Sequence, residues 1–217
     1  MARFGDDYTA IHIRWGTRSL LHERHNGWST DKTAARLRQL ADEWAARATA
    51  VRQETAAPIR PQQILVKVDG DGMGVGVLDN AHGYRFVPVC ASSTPLRSSE
   101  FTNRRPELWF TTARLAVMGR LDLSALDRDT KARLRQQAMA PRWEARSGLI
   151  WLEPKEVTKA RLGMSPDCLD ALNIAYALAG ANEIPQFIDT KPAAVQPATR
   201  GAPAREQGRR GLFGRRG

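Results

Sequence analysis

Apolar and polar residues alternate along Ala10-Ile11-His12-Ile13-Arg14-Trp15, the period of a strand, and Ser19-Leu20-Leu21-His22-Glu23 continues beyond Gly16-Thr17-Arg18. The two runs and the turn between them predict a hairpin within the first 30 residues. From Ala35 the period changes. Ala35, Leu37, Leu40, Ala41, Trp44 and Ala48 recur at helical spacing behind Ser29-Thr30-Asp31, which offers helix-cap chemistry, so a helix is predicted over about 32–53. Pro58 and Pro61 stop it. Ile64-Leu65-Val66-Lys67-Val68 is a short apolar run of the kind found in buried strands. Asp69 closes the run, before the glycine-rich turn Gly70-Asp71-Gly72-Met73-Gly74-Val75-Gly76. A short helix to about His82 and a strand over 84–89 complete a β-α-β unit.

Residues 91–101, rich in Ser, Thr and Pro, form a loop in this pattern, followed by helices over 106–118 and 129–138. Arg142-Trp143-Glu144-Ala145 and Leu149-Ile150-Trp151-Leu152 flank Arg146-Ser147-Gly148 as a second hairpin. A charged helix over 156–162 precedes a last helix that opens at Ser165-Pro166, runs to about Ala179 and stops at Gly180. The whole predicts an α/β domain over residues 1–188, a central mixed sheet flanked by helices. Residues 189–217 are Pro-, Ala-, Gly- and Arg-rich with little to bury, and predict a disordered basic tail.

Charge sharpens this picture. Of 217 residues, 27 are Arg and 6 are Lys, and the net charge is +10. Arginine in that proportion suits forked contacts with phosphate, so an acidic partner is expected. Residues 190–217 supply +6 of the excess. No apolar run approaches a membrane span, and the start lacks the apolar stretch of a signal peptide. Cys90 and Cys168 stand far apart with no CxxC, which suggests neither a zinc site nor a disulfide framework and points to a reducing cytoplasm.

Three aspartates carry the candidate chemistry. Asp69 stands at the carboxyl end of a strand, where open α/β sheets place ligands, and suits a metal or phosphate site; the same residues also suit a plain Asx-type reversal. The glycines fail GxGxxG, an EF-hand loop from Asp69 would need oxygen ligands at Met73 and Asn80, and no Gly-Lys pair exists for a Walker A loop. Asp167 falls in the first turn of the last helix, where the dipole favours an anion, so capping and metal binding both account for it. Asp170 follows three residues later on the same face, at the mouth of a helix apolar nearly all round. Two like charges there call for something positive between them, and a divalent cation supplies it.

These blocks occur together with Phe101-Thr102-Asn103-Arg104-Arg105-Pro106-Glu107-Leu108-Trp109 and with Arg161-Leu162-Gly163-Met164-Ser165-Pro166-Asp167-Cys168-Leu169-Asp170-Ala171, in that order. Over most of residues 2–180 the chain resembles the C-terminal nuclease domain of the phage terminase large subunit, an RNase H-like fold. The resemblance implies a DNA endonuclease that cuts concatemeric viral DNA during genome packaging, with two Mg²⁺ or Mn²⁺ ions held by Asp69, Asp167 and Asp170. It implies double-stranded DNA as substrate, a terminase ATPase chain, small terminase subunit and portal as partners, and the bacterial host cytoplasm as the setting. Ala2 to Asp7 resembles the stretch just after the family's first catalytic aspartate, which the pattern places two residues before Ala2. The set therefore lacks that acid, and the ATPase half is not in this sequence. The alternative is a DNA-binding or packaging-assembly module that keeps the fold without the chemistry.

The remaining candidates have plainer roles. Asp6 and Asp7 suit a solvated turn. His12, His22, His25 and His82 show no ligand spacing and suit surface or sheet packing. Cys90 and Cys168 suit buried thiols, and the tryptophans suit core or hairpin packing. Arg104 and Arg105 suit either phosphate contact or a solvated face, and the Arg-rich tail suits an electrostatic arm for DNA or a docking peptide.

Overall fold

The computed structural model describes residues 8–51 and 57–178. The predicted elements are found, with shifted bounds. Strands β1 (Tyr8–Trp15) and β2 (Arg18–Asn26) form an antiparallel hairpin with an irregularity between Ile13 and Arg14. Helix α1 (Thr30–Val51) starts where Ser29 Oγ accepts the Lys32 N–H at 3.2 Å, the capping expected from the sequence. Strand β3 (Val66–Asp69), helix α2 (Gly74–Leu78) and strand β4 (Phe86–Val89) make the β-α-β unit, its strands parallel. Then come α3 (Arg104–Val117), α4 (Arg128–Ala138), the hairpin β5 (Trp143–Arg146) and β6 (Leu149–Leu152), α5 (Lys155–Leu162) and α6 (Asp167–Tyr176). Ser147 and Gly148 both have positive φ, which lets the β5–β6 hairpin turn in two residues.

The α/β class is found: helices stand with strands that pair both parallel and antiparallel, and among the described residues the pairs are β1–β2, β3–β4 and β5–β6, each a sheet of two. One expectation needs correction: the last helix ends earlier than 179. Ala177 leaves it at ψ 145°, an extended value, after Tyr176. Gly180, Asp6, Asp7, the boundary at 188 and the basic tail lie outside the described residues.

Helix α6 organises the rest. It packs against β1, β3, α3 and α4. Leu169, Leu172 and Tyr176 join Trp109 and Leu115 of α3, Leu134 of α4 and Leu152 of β6 in the largest apolar cluster. Burying each such side chain contributes roughly 1.5–3 kcal/mol. Gln137, 1% exposed, ties α4 to this helix by accepting the Leu169 N–H at 2.9 Å. A second cluster of Ala34, Val68 and Val77 fixes α1, β3 and α2 together. Lys67 of β3 donates to the carbonyls of Ala175 and Ala177, where the helix dipole welcomes a cation. This tethers the strand that ends in Asp69 to the helix that begins with Asp167. No helix among the described residues is long and apolar enough to cross a membrane.

Candidate active site

Asp69 stands last in β3, and the chain must leave the strand there without covering it. Gly74 makes this possible: a Cβ at Gly74 would lie 1.5 Å from the Asp69 carbonyl oxygen, so only glycine lets α2 start this close to the strand end. The Asp69 carboxylate accepts the Asp71 N–H at 3.1 Å, the Asx-type contact anticipated from the sequence. Asp71 itself turns away, accepting the N–H and hydroxyl of Ser92. The turn and the site are therefore one device. The contact fixes the carboxylate at the strand's end and leaves its other oxygen uncommitted to Asp71.

Asp167 and Asp170 open α6. Capping accounts only partly for the first: Ser165 does not cap the helix as expected, but donates its hydroxyl to Asp167 Oδ1, and Pro166 takes the cap position. Asp167 Oδ2 accepts the N–H of Tyr8, the first described residue of β1, at 2.8 Å. Asp167 thus joins β1 to α6. Asp170 accepts from a residue that the sequence pattern did not single out. Lys155 Nζ lies 2.7 Å from Asp170 Oδ2 and 3.5 Å from Asp167 Oδ1. Asp69, Lys155, Asp167 and Asp170 all line one cavity of about 640 Å³.

Electrostatics bind the four groups into one unit. Burial pushes the Asp69 carboxyl above its ordinary value, the Asp71 N–H and Lys155 pull it down, and Asp170 raises it again. Burial pulls Lys155 down, but Asp170, Asp167 and Asp69 outweigh it and hold the ammonium above the usual lysine range. The Lys155 ammonium thus sits among three carboxylates and supplies positive charge between Asp167 and Asp170. Arg105 adds a second positive charge nearby. Burial lowers it, while Asp170, Glu156 and Glu153 raise it. Its Nη1 donates to the Glu153 carbonyl, and its buried Nη2 has no hydrogen-bond partner among the described residues.

The donor set suits a hard divalent cation, because every candidate ligand is a carboxylate oxygen. Lys155 shows where positive charge is accepted. Among the described residues, however, no three His, Cys, Asp or Glu side chains are grouped closely enough to hold a metal as they stand. A cation would have to displace or share the position of Lys155.

The other candidates fall elsewhere. Arg104 is 7% exposed and bonds Glu107 at 2.7 Å, so it neither faces solvent nor waits for phosphate. Glu107, 2% exposed, also accepts the N–H groups of Leu96 and Arg97, pinning the loop before α3. His12 and His22 face each other across β1 and β2 with their Nδ1 atoms 3.0 Å apart, and His12 Nε2 meets Ser19 Oγ at 2.8 Å. His25 stacks on Trp28, and His82 is exposed. Cys168 is buried as expected, but Cys90 is only half-buried. Trp109 belongs to the core, whereas Trp15 and Trp143 are largely exposed. Lys155 could have been found in the sequence by one signal. It is a cation at the first position of a helix, where the dipole disfavours it unless carboxylates compensate.

No protein-family model and no curated protein matches the sequence. Solved structures do. The nuclease domain of the large terminase subunit gp2 of bacterial virus Sf6 superposes with a TM-score of 0.62 at 18% identity, over 82% of this chain and 86% of that one. A mutant of that domain with manganese and beta-thujaplicinol gives 0.62 at 17% identity, over 82% and 86% of the two chains. A mutant with calcium gives 0.60 at 18%, over 80% and 84%. The chain has the fold of a phage terminase nuclease domain.

Proposed function

We propose that this protein is a divalent-metal-dependent DNA endonuclease of the phage terminase type, cutting concatemeric viral DNA during genome packaging in the bacterial host cytoplasm. One observation carries the reading. In a fold shared with a terminase nuclease domain, Asp69 from β3 and Asp167 and Asp170 from α6 converge with Lys155 on one cavity. The manganese and calcium named with the similar structures support a divalent cation. Asp69, Asp167 and Asp170 would hold two Mg²⁺ or Mn²⁺ ions, which supply a polarised water and charge compensation at the phosphate. The chain's own residues do the rest. The Tyr8 N–H and Ser165 hydroxyl aim Asp167, the Asp71 N–H aims Asp69, and Lys155 and Arg105 attract the anionic backbone. The net charge of +10 favours duplex DNA as substrate. A terminase ATPase chain, a small terminase subunit and a portal are the partners this role requires.

Three carboxylates are fewer than the four implied by the family resemblance, and two dications held about 4 Å apart need much negative charge. We therefore expect these 217 residues alone to cut feebly. A second reading, a DNA-binding or packaging-assembly module without chemistry, is favoured by Lys155, which already neutralises much of the cluster. Plasmid nicking by the full chain in Mn²⁺, abolished by EDTA and by Asp170→Asn, supports the nuclease. DNA binding with no nicking and no rise in melting temperature on adding Mn²⁺ supports the module.

A further inference from the structure

Helix α4 turns one face to the core and another to solvent. Thr130, Leu134 and Gln137 are buried, while Arg128, Lys131 and Arg135 are exposed. At about 100° per residue these three cations fall within an arc of about 60°, and from Arg128 to Arg135 the stripe is about 10.5 Å long. Asp129, the only acid in the helix, lies about 100° from Arg128. Asp127 ahead of it is used in capping and accepts the Thr130 N–H at 2.8 Å. Elsewhere Arg18, Arg36, Arg97, Arg114 and Arg161 each hold a carboxylate. Arg128, Lys131 and Arg135 hold none among the described residues.

Folding does not favour this arrangement. Like charges three and four residues apart destabilise a helix, and Arg128 and Lys131 also oppose the dipole near its amino end. A polyanion that meets all three relieves both effects. Along one strand of duplex DNA a phosphate recurs at about every 3.4 Å of axis, so the stripe spans about three of them, one for each cation. We propose that the outer face of α4 is a rail for the phosphates of one strand of duplex DNA, fixed beside the acid cluster. Gln137 fixes it there: it accepts the Leu169 N–H at 2.9 Å and donates to the Ser165 carbonyl at 3.5 Å, on both sides of Asp167 in the sequence. Two further cations stand near that acid. Burial raises the thiol of Cys168, which follows Asp167, and Arg133 of α4 and Arg24 of β2 draw it down. Arg24 lies over the ring of Tyr8, the residue whose N–H Asp167 accepts. The inference rests on the proposed DNA substrate and not on cleavage.

The test is fluorescence anisotropy of a labelled duplex with the full chain in EDTA, across a salt series from about 50 to 200 mM. One variant carries Arg128→Gln, Lys131→Gln and Arg135→Gln. The control removes the same charge from exposed cations outside α4, as Lys32→Gln, Arg47→Gln and Arg60→Gln. Each lost phosphate contact should lower the slope of log K against log salt by about 0.9, so the α4 variant should lose about 2.7 and bind about a hundredfold more weakly near 0.1 M salt. The control should lose less than one contact's worth. Equal losses in the two variants, or an unchanged slope in the α4 variant, overturn the inference. So does an equal loss of binding to a polyglutamate peptide, which would mark a general anion surface. Should the triple α4 variant melt below the native chain, Lys131→Gln alone must lower the slope by about 0.9 for the inference to stand. Cleavage is not the readout, so equal losses leave the nuclease reading intact. Conversely, α4-dependent binding by a chain that never nicks DNA in Mn²⁺ overturns that reading and supports the rail.

Discussion

Lys155 and Asp170 form a 2.7 Å ion pair between the first turns of two successive helices, with Asp167 3.5 Å from the same ammonium. The lysine is the cation that bonds these acids directly, with Arg105 a second positive charge nearby. Replacing it with Met leaves Asp69, Asp167 and Asp170 uncompensated. The side chain is 37% exposed, so solvent screening limits the loss to about 1 kcal/mol or less in EDTA. The cation response should grow in return. Differential scanning fluorimetry should show a larger rise in melting temperature on adding Mn²⁺ for Lys155→Met than for the native chain. Equal rises in the two proteins would mean that the lysine and the metal do not compete.

Gly74 tests the placement of Asp69. A methyl group there meets the Asp69 carbonyl at 1.5 Å and the carbonyl carbon at 2.7 Å, backbone atoms that cannot step aside. Gly74→Ala must therefore displace β3 from α2. Overpacking of this kind costs about 1–3 kcal/mol. Chemical denaturation should show that loss, and any Mn²⁺-induced stabilisation should shrink with it. A variant as stable as the native protein would show that the turn is looser than it looks.

How much of this was legible in the sequence differs by kind of feature. The period of apolar residues located both hairpins, the β-α-β unit and the helices, because amphipathic period is a local property. The aspartates were visible for the same reason: each stands at the end of an element that the pattern itself marks. Lys155 offered only a weak local signal, a cation at a helix start, because its partners depend on α5 and α6 starting side by side, a tertiary fact. The burial of Arg104 was hidden likewise, since nothing local says that Glu107 beneath it is 2% exposed and already accepts two backbone N–H groups. The grouping of the strands into pairs is a tertiary fact of the same kind: pattern shows that β1 and β3 are strands, but not which strands they pair with.

Glu107 should be the most sensitive acid outside the site. It accepts from Leu96 N–H at 2.8 Å, Arg97 N–H at 3.0 Å and Arg104 Nη1 at 2.7 Å. Glu107→Ala leaves the buried Arg104 guanidinium without its carboxylate, a change that costs about 3–5 kcal/mol. Glu107→Gln keeps the shape and can still accept, so its loss should be smaller. Proteolysis should nick the segment between Cys90 and Phe101 in Glu107→Ala first, because that loop loses its anchor. If urea denaturation finds Glu107→Ala within about 1 kcal/mol of native, the network is not structural.

The His12–His22 pair sets the acid limit of stability. Burial holds His12 down to about 3, aided by His22 and Arg14. Burial likewise holds His22 down to about 4, with Arg133 lowering it further and Asp127 raising it in part. Both rings are therefore neutral in the folded state well below the ordinary histidine value near 6.5. The unfolded chain binds protons first as pH falls, so the sign is unambiguous: the pair costs nothing above about pH 6.5, and stability drains away below it. Each histidine contributes a slope of about 1.4 kcal/mol per pH unit between its unfolded and folded values, together approaching 3 kcal/mol per unit near pH 5. The depressed carboxyl of Glu153, held to about 2 by Arg161 against the cost of burial, acts in a lower window, below about pH 4.5. Urea midpoints measured between pH 7.5 and 5 thus isolate the histidines. The native chain should lose stability steadily across that range, and His22→Gln should lose it with roughly half the slope. A flat profile from pH 7 to 5 would show that the two rings are hydrated and free to protonate in the folded protein.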